Sequence, residues 1–127
     1  MLGSGKDYIC KAIVDHNSKI HNLQNSTTIR ETLAVISLAK FVIGSDTGFL
    51  HAAEALGKNI VLILGPTTNE TGAGIQLSNS IVIENDEVWC RPCSQNGKRP
   101  CYRSEQFCRT TINADSIYSK IKHARLI

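Results

Sequence analysis

The chain has 127 residues, 42% hydrophobic and 20% charged, with a formal net charge of +3, the composition of one ordinary globular domain. So small a charge admits an anionic ligand but lacks the basic stripe of a nucleic-acid binder. No apolar run approaches the roughly 20 residues needed to cross a bilayer, and the first residues do not read as a signal peptide, so a cytoplasmic protein is expected.

Met1-Leu2-Gly3-Ser4-Gly5 reads as the end of a strand and the glycine turn after it. Domains rarely begin on a strand's tail, so the expectation is a fragment whose upstream residues are missing. A helix over residues 7–16 follows, with Ile9, Ala12 and Ile13 apolar, then a short strand over 20–23 and a polar turn, Asn25-Ser26-Thr27. Thr28 with Glu31 three residues on forms a capping box. The helix it opens presents Leu33, Ile36, Leu38 and Ala39 as its apolar face.

Residues 41–43 read as a buried strand, and residues 50–56, rich in alanine, as a helix stopped by Gly57. Residues 60–64, Ile-Val-Leu-Ile-Leu, form an unbroken apolar run, which predicts a strand buried on both faces. A glycine-rich loop leads to another short strand at 80–84. A Cys-rich loop spans 88–109, and Asn113 or Asp115 caps a terminal helix over 116–123. Strands alternating with helices at this spacing predict an α/β fold, a parallel sheet flanked by helices and joined by right-handed crossovers. Residues 1–127 are expected to form one domain, with the Cys-rich loop inside it.

The chemistry is expected between the strand at 41–43 and the alanine-rich helix, in Gly44-Ser45-Asp46-Thr47-Gly48-Phe49-Leu50-His51. A tight polar turn there opens a helix at the carboxyl end of a strand, the edge where open α/β sheets collect ligands. Exposed amides at a helix start favour anions, phosphate above all. Gly48 would let a phosphate come close, and Asp46 would accept from a ligand hydroxyl or bond the turn's amides; plain N-capping by Asp46 or Thr47 is the alternative. His51, one turn into the helix, reaches a phosphate or ties the turn to a neighbouring loop. Gly65-Pro66-Thr67 ends the next strand and should lie beside this turn, where Thr67 and Thr68 could offer hydroxyls.

The run from Thr28 to Thr67, with S-D-T-G-x-x-H-x-A-x-A-L-G-K and then L-G-P-T, resembles the carboxy-terminal domain of glycosyltransferase family 9, the lipopolysaccharide heptosyltransferases. The later W-C-x-P-C, Cys101, Cys108 and closing helix resemble the tail of the same family. The resemblance implies a GT-B enzyme, in which two Rossmann-like domains face each other across a cleft. The domain seen here would bind the nucleotide-sugar donor, ADP-heptose in many members. The absent amino-terminal domain would bind a lipid-linked or glycan acceptor and carry the general base, leaving no catalytic residue in this chain and no need for a cofactor. It assigns Asp46, Thr47, Gly48, Phe49, His51, Gly65, Pro66 and Thr67 to donor binding, and places adenine and ribose near Thr27 and Thr28. Phe49 and the loop over 69–74 depart from the commonest family form, which has prolines in both places.

Cys90-x-x-Cys93 with Cys101 and Cys108 suits a structural zinc site, a redox-labile pairing, or reduced packing thiols. Arg91, Lys98, Arg99, Arg103 and Arg109 in the same loop face either solvent or an anionic acceptor at the inner face of the cytoplasmic membrane. Two readings from other classes stand beside the transferase: a non-catalytic nucleotide-sugar-binding module or truncated remnant, and a zinc-stapled interaction domain.

Overall fold

A computed structural model of the chain describes residues 1–4, 6 and 9–127. The chain separates into two compact units, Met1–Ile36 and Ser37–Ile127.

In the first unit, helix α1 spans Ile9–His16; Asp7, where that helix was expected to begin, and Gly5 of the glycine turn lie outside the described residues. The expected apolar face of α1 is corrected, because Ile9 and Ile13 are exposed and Cys10 is the residue that turns inward. The expected strand over 20–23 is not a regular strand. It runs extended beside the amino terminus instead: the Met1 ammonium donates to the His21 carbonyl at 2.6 Å. The Leu23 and Asn25 amides donate to the Met1 and Gly3 carbonyls, both at 2.9 Å. That alternation is the pattern of a short parallel pair.

Helix α2 spans Ile29–Leu38 and begins at the expected capping box. The Thr28 amide and hydroxyl both donate to the Glu31 carboxylate, at 2.7 and 2.8 Å, and the Glu31 amide returns a bond to the Thr28 hydroxyl at 3.3 Å. Those two donations hold the Glu31 carboxyl below its ordinary range. Thr32 is buried and its hydroxyl meets that of Thr27 at 2.9 Å. Ile36 is buried as expected, but Leu38 is 87% exposed and does not belong to an apolar face.

The second unit is built on three parallel strands in the order β1 (Val42–Ser45), β2 (Ile60–Ile63) and β3 (Ile81–Ile83). Register runs from Val42 opposite Ile60 to Ser45 opposite Ile63, and from Val61 opposite Ile81 to Ile63 opposite Ile83. Strand β2 is central, and its Ile60, Val61 and Leu62 are all fully buried, as an apolar run covered on both faces requires. Its side chains alternate between the two faces. Val61 packs with Ile83, Ile121 and Leu126, together with Ile63, Ile112 and Ile117. Ile60, Leu62 and Leu64, also buried, point to the other face. Helix α3 (Gly48–Ala55) packs there against β1 and β2. Gly44 makes room for it, since a Cβ at that position would stand 3.5 Å from Leu50 Cδ1. Truncating a fully buried residue such as Leu62 to alanine would cost about 2–5 kcal/mol.

Helix α3 stops where expected. Gly57 adopts a left-handed φ of 73°, its amide donates to the Glu54 carbonyl at 2.8 Å, and the Lys58 amide reaches the Ala53 carbonyl at 2.9 Å. This paired closure is a Schellman motif, which satisfies the last carbonyls of a helix. A short helix α4 (Phe107–Thr110), absent from the sequence expectation, precedes α5 (Ala114–His123). Asn113 is the cap of α5, its side chain accepting from the Ser116 amide at 2.8 Å. Helix α5 packs on β3 and closes with a second Schellman pair, Arg125 to Lys122 at 3.0 Å and Leu126 to Ile121 at 3.2 Å, with non-glycine Arg125 at φ 55°.

Candidate functional site

The parallel register brings the ends of β1 and β2 side by side, so the segments after Ser45 and Ile63 emerge at one sheet edge. Between them lies a cleft of about 490 Å³, lined by Ser45 and Asp46 on one side and by Gly65, Pro66 and Thr67 on the other. Asn96, Gly97 and Arg109 from the Cys-rich segment also line it, with Ile63, Ile112 and Ile117 supplying apolar wall. Asp46 and the Gly-Pro-Thr turn are thus brought together. Thr47, Gly48, Phe49 and His51 sit at the start of α3, beside Asp46 in the chain but outside this lining.

Thr47 is the N-cap of α3 in extended conformation, and its side chain makes no capping bond. Its carbonyl accepts from both the Leu50 and His51 amides, at 3.0 and 3.3 Å. The Gly48 and Phe49 amides precede any intrahelical partner, and no group among the described residues accepts from them. Nothing stands within 4 Å of a Cβ built on Gly48, so a side chain at that position would meet open space. The expectation that Asp46 bonds the turn's amides, or that His51 ties the turn to a neighbouring loop, is corrected. The two residues bond each other, Oδ1 to Nε2 at 3.0 Å, both partly exposed.

Helix α3 is itself anchored by a buried carboxylate. Glu54 accepts from the Gln76 amide at 2.9 Å and the Leu77 amide at 3.0 Å, while Ser80, which also bonds Glu54, accepts from the Ile60 amide at 3.0 Å. Burial alone would raise the Glu54 pKa, but the amides of Leu77 and Gln76 and the Ser80 hydroxyl outweigh it and hold the carboxyl below its ordinary value. The carboxyl-terminal turn of α3 is therefore tied to the loop that leads into β3.

Thr67 and Thr68 are both buried; Thr67 still lines the cleft, whereas the Thr68 hydroxyl, expected to be offered to a ligand, is taken up within the turn. The Thr68 hydroxyl donates to the Glu70 carboxylate, and the Thr71 hydroxyl closes the turn by donating to the Thr68 carbonyl at 2.8 Å. Thr27 and Thr28 belong to the first unit.

The Cys-rich segment supplies what sequence reasoning missed. Arg91 is not a solvated or acceptor-facing cation: its side chain is 4% exposed and pairs with Glu84 at 2.6 Å. The same guanidinium donates to the carbonyls of Gly65, Asn85 and Thr67, at 2.5, 2.8 and 3.0 Å. Arg103 lies over Phe107 and Trp89, at 4.7 and 5.7 Å from the ring centroids, a cation–π arrangement. Arg109 lines the cleft and lies across Gly65, where a Cβ would meet its Nε at 2.9 Å. No periodic or motif signal separates Arg91 from its basic neighbours; its burial follows from tertiary contacts alone.

All five cysteines are free thiols. Cys90, Cys93, Cys101 and Cys108 border one small cavity of about 50 Å³. Among the described residues, however, no three His, Cys, Asp or Glu side chains converge as ligands of one metal ion. The thiols as they stand do not fit a zinc centre. Burial pushes the Cys108 thiol up, and the neighbouring Cys93 adds to the shift.

The model of "Glycosyltransferase family 9 (heptosyltransferase)" matches residues 1–102. The chain belongs to glycosyltransferase family 9. Two relatives, each named lipooligosaccharide heptosyltransferase 2, come from Campylobacter jejuni subsp. jejuni. The one from serotype O:6 is 26% identical over 96% of this chain and 39% of its own length. The one from serotype O:2 is 25% identical over 97% and 39%. The family 9 chain thus spans 39% of the length of these curated relatives. No solved structure matches it significantly. In family 9 terms, the parallel sheet flanked by helices is the Rossmann-like α/β fold expected, and no helix of the described residues is long and apolar enough to cross a membrane.

Proposed function

We propose that this chain is the donor-binding half of a GT-B glycosyltransferase that moves a sugar, heptose from ADP-heptose, onto a lipopolysaccharide or lipooligosaccharide core acceptor. The observation that carries the reading is the start of α3. Two amides without internal acceptors open the helix at Gly48, where a side chain would meet open space, next in the chain to Asp46 of a cleft also bounded by the Gly65-Pro66-Thr67 turn and Arg109. Unpaired amides at a helix start, with the helix dipole behind them and a guanidinium nearby, form a site for a diphosphate. The family membership and the relatives' printed activity support the choice of a sugar-nucleotide over other phosphates.

In this reading the reaction is displacement at an anomeric carbon. An acceptor hydroxyl attacks as the nucleoside diphosphate leaves, and a carboxylate on a second domain takes the hydroxyl's proton. The residues of this chain position the donor and stabilise the charge growing on the departing phosphate oxygen. Fixed amides suit that role because they need no reorganisation as charge appears. Arg109 adds positive charge at the cleft wall, so the scheme requires no metal ion. Asp46, held by His51, accepts from a sugar hydroxyl, and Phe49 contributes to the donor's surroundings. Closure by the second domain, which would bring the acceptor from the inner face of the cytoplasmic membrane, would exclude water that otherwise hydrolyses the sugar.

Calorimetric titration with ADP and ADP-heptose tests the reading. Saturable binding, lost in Gly48→Val, is the expected result. A well-folded chain that binds neither overturns it and favours a remnant without ligand.

A further inference from the structure

The Gly65-Pro66-Thr67 turn does not hold its own shape. Each of its three carbonyls accepts a hydrogen bond from the Cys-rich segment. Gly65 receives Arg91 Nε at 2.5 Å, Pro66 receives the Cys93 amide at 3.3 Å, and Thr67 receives Arg91 Nη2 at 3.0 Å. The guanidinium's remaining donors go to the Asn85 carbonyl at 2.8 Å and the Glu84 carboxylate at 2.6 Å, just past the end of β3. One buried side chain therefore joins the carboxyl ends of β2 and β3. Four of its five N–H donors have partners, in a planar fork that lysine cannot reproduce.

The carbonyl and the amide of one peptide unit point in opposite directions. With the Pro66 carbonyl drawn to Cys93, the Thr67 N–H is aimed away from the Cys93 amide, and no group among the described residues accepts from it. Thr67 lines the cleft while 97% of its own surface is hidden, being only 3% exposed. The turn thus presents an aimed backbone donor whose direction is set from behind.

We infer that Arg91 is a positioning residue for the donor, holding the Gly65-Pro66-Thr67 turn so that the Thr67 amide meets the nucleotide's phosphate. This rests on the donor-site reading above. Arg91 touches no ligand in this scheme; it acts through the turn. Lysine at 91 keeps the charge but cannot reach both the Gly65 and Thr67 carbonyls in one plane. Glu84→Gln keeps the arginine and its carbonyl bonds while removing the ion pair.

The test is ADP affinity of the full chain by calorimetry, with thermal melts alongside. Arg91→Lys is expected to weaken ADP binding about tenfold or more, while Glu84→Gln binds ADP as the native chain does even if its melting temperature falls. That split separates positioning from general stability. Native binding with Arg91→Lys equally tight, or equal losses in both variants at matched stability, overturns the inference alone. A native chain that takes up no ADP overturns the donor-site reading, and this inference with it. A measurement on the unsubstituted chain serves if Arg91→Lys does not fold. On ADP addition the Thr67 amide resonance must shift while the Arg91 Nε–H stays protected from exchange. An unmoved Thr67 amide in a chain that binds ADP sinks the inference.

Discussion

Asp46 Oδ1 and His51 Nε2 lie 3.0 Å apart across the first turn of α3, so the acidic residue before the helix is held by a side chain from inside it. The bond orients the Asp46 carboxylate without using the amides of Gly48 and Phe49, and it leaves those donors without an acceptor among the described residues. Asp46→Ala should free the imidazole, loosen the helix start and weaken ADP binding several-fold, whereas Asp46→Asn, which can still bond the ring, should lose less. Calorimetry on the two variants checks the order; equal affinity in native chain and alanine variant would show that the pair has no part in binding.

Gly48 has no neighbour within 4 Å of its would-be side chain and no positive φ. Gly48→Val should therefore fold, at a cost of well under about 1 kcal/mol from its position in the first turn. Its isopropyl group would fill the space assigned to the diphosphate, and ADP affinity should fall by more than about tenfold. A folded Gly48→Val chain with native affinity refutes that placement.

The two Schellman closures make opposite predictions. Gly57 is left-handed with open space around it, so Gly57→Ala should destabilise by about 1 kcal/mol through backbone strain alone. Arg125 holds the same conformation with a side chain, and Arg125→Gly should stabilise by a similar amount. Urea denaturation of both variants reads the signs directly.

Glu54 links pH to stability. Its carboxyl is held below the ordinary value of 4.5 in the folded chain, so it binds a proton less readily folded than unfolded. Its stabilisation is complete above that ordinary value and is lost as pH falls through the lower folded-state value. Glu54→Gln should be less stable than the native chain at neutral pH, by about 1–3 kcal/mol for the weakened buried bonds, with the gap narrowing in acid. Denaturation midpoints across the acid range test this; a gap constant with pH would rule it out.

The four clustered thiols should differ in rate. Cys90, Cys93 and Cys101 are partly exposed, while Cys108 is buried and its thiol is pushed up by that burial and by Cys93. The thiolate is the reacting species, so timed alkylation followed by mass spectrometry should label Cys108 last of the four. Equal protection of all four, released by a chelator, would instead reveal a shared metal.

Local chemistry was legible in the sequence and long-range chemistry was not. The capping box of Thr28 and Glu31, the Gly57 stop, the Asn113 cap and the apolar run that became β2 each depend on neighbours a few residues away, and each formed as read. Asp46 and the Gly65-Pro66-Thr67 turn could be placed at one edge because parallel strands align their carboxyl ends. The Asp46–His51 bond escaped because two ordinary alternatives, capping and loop contact, fit the same residues. Arg91 escaped because its partners at 65, 67, 84 and 85 meet it only after the chain folds back. Helix periodicity also misled at Ile9, Ile13 and Leu38, where apolar residues stay at the surface.

The stitching of residues 65–67 to residues 91 and 93 bears on how such enzymes can be recombined. A chimera that borrows only the Gly-Pro-Thr turn of this chain would import a loop whose supporting scaffold stayed behind. Transplanting the turn intact would call for moving residues 84–93 in the same cassette.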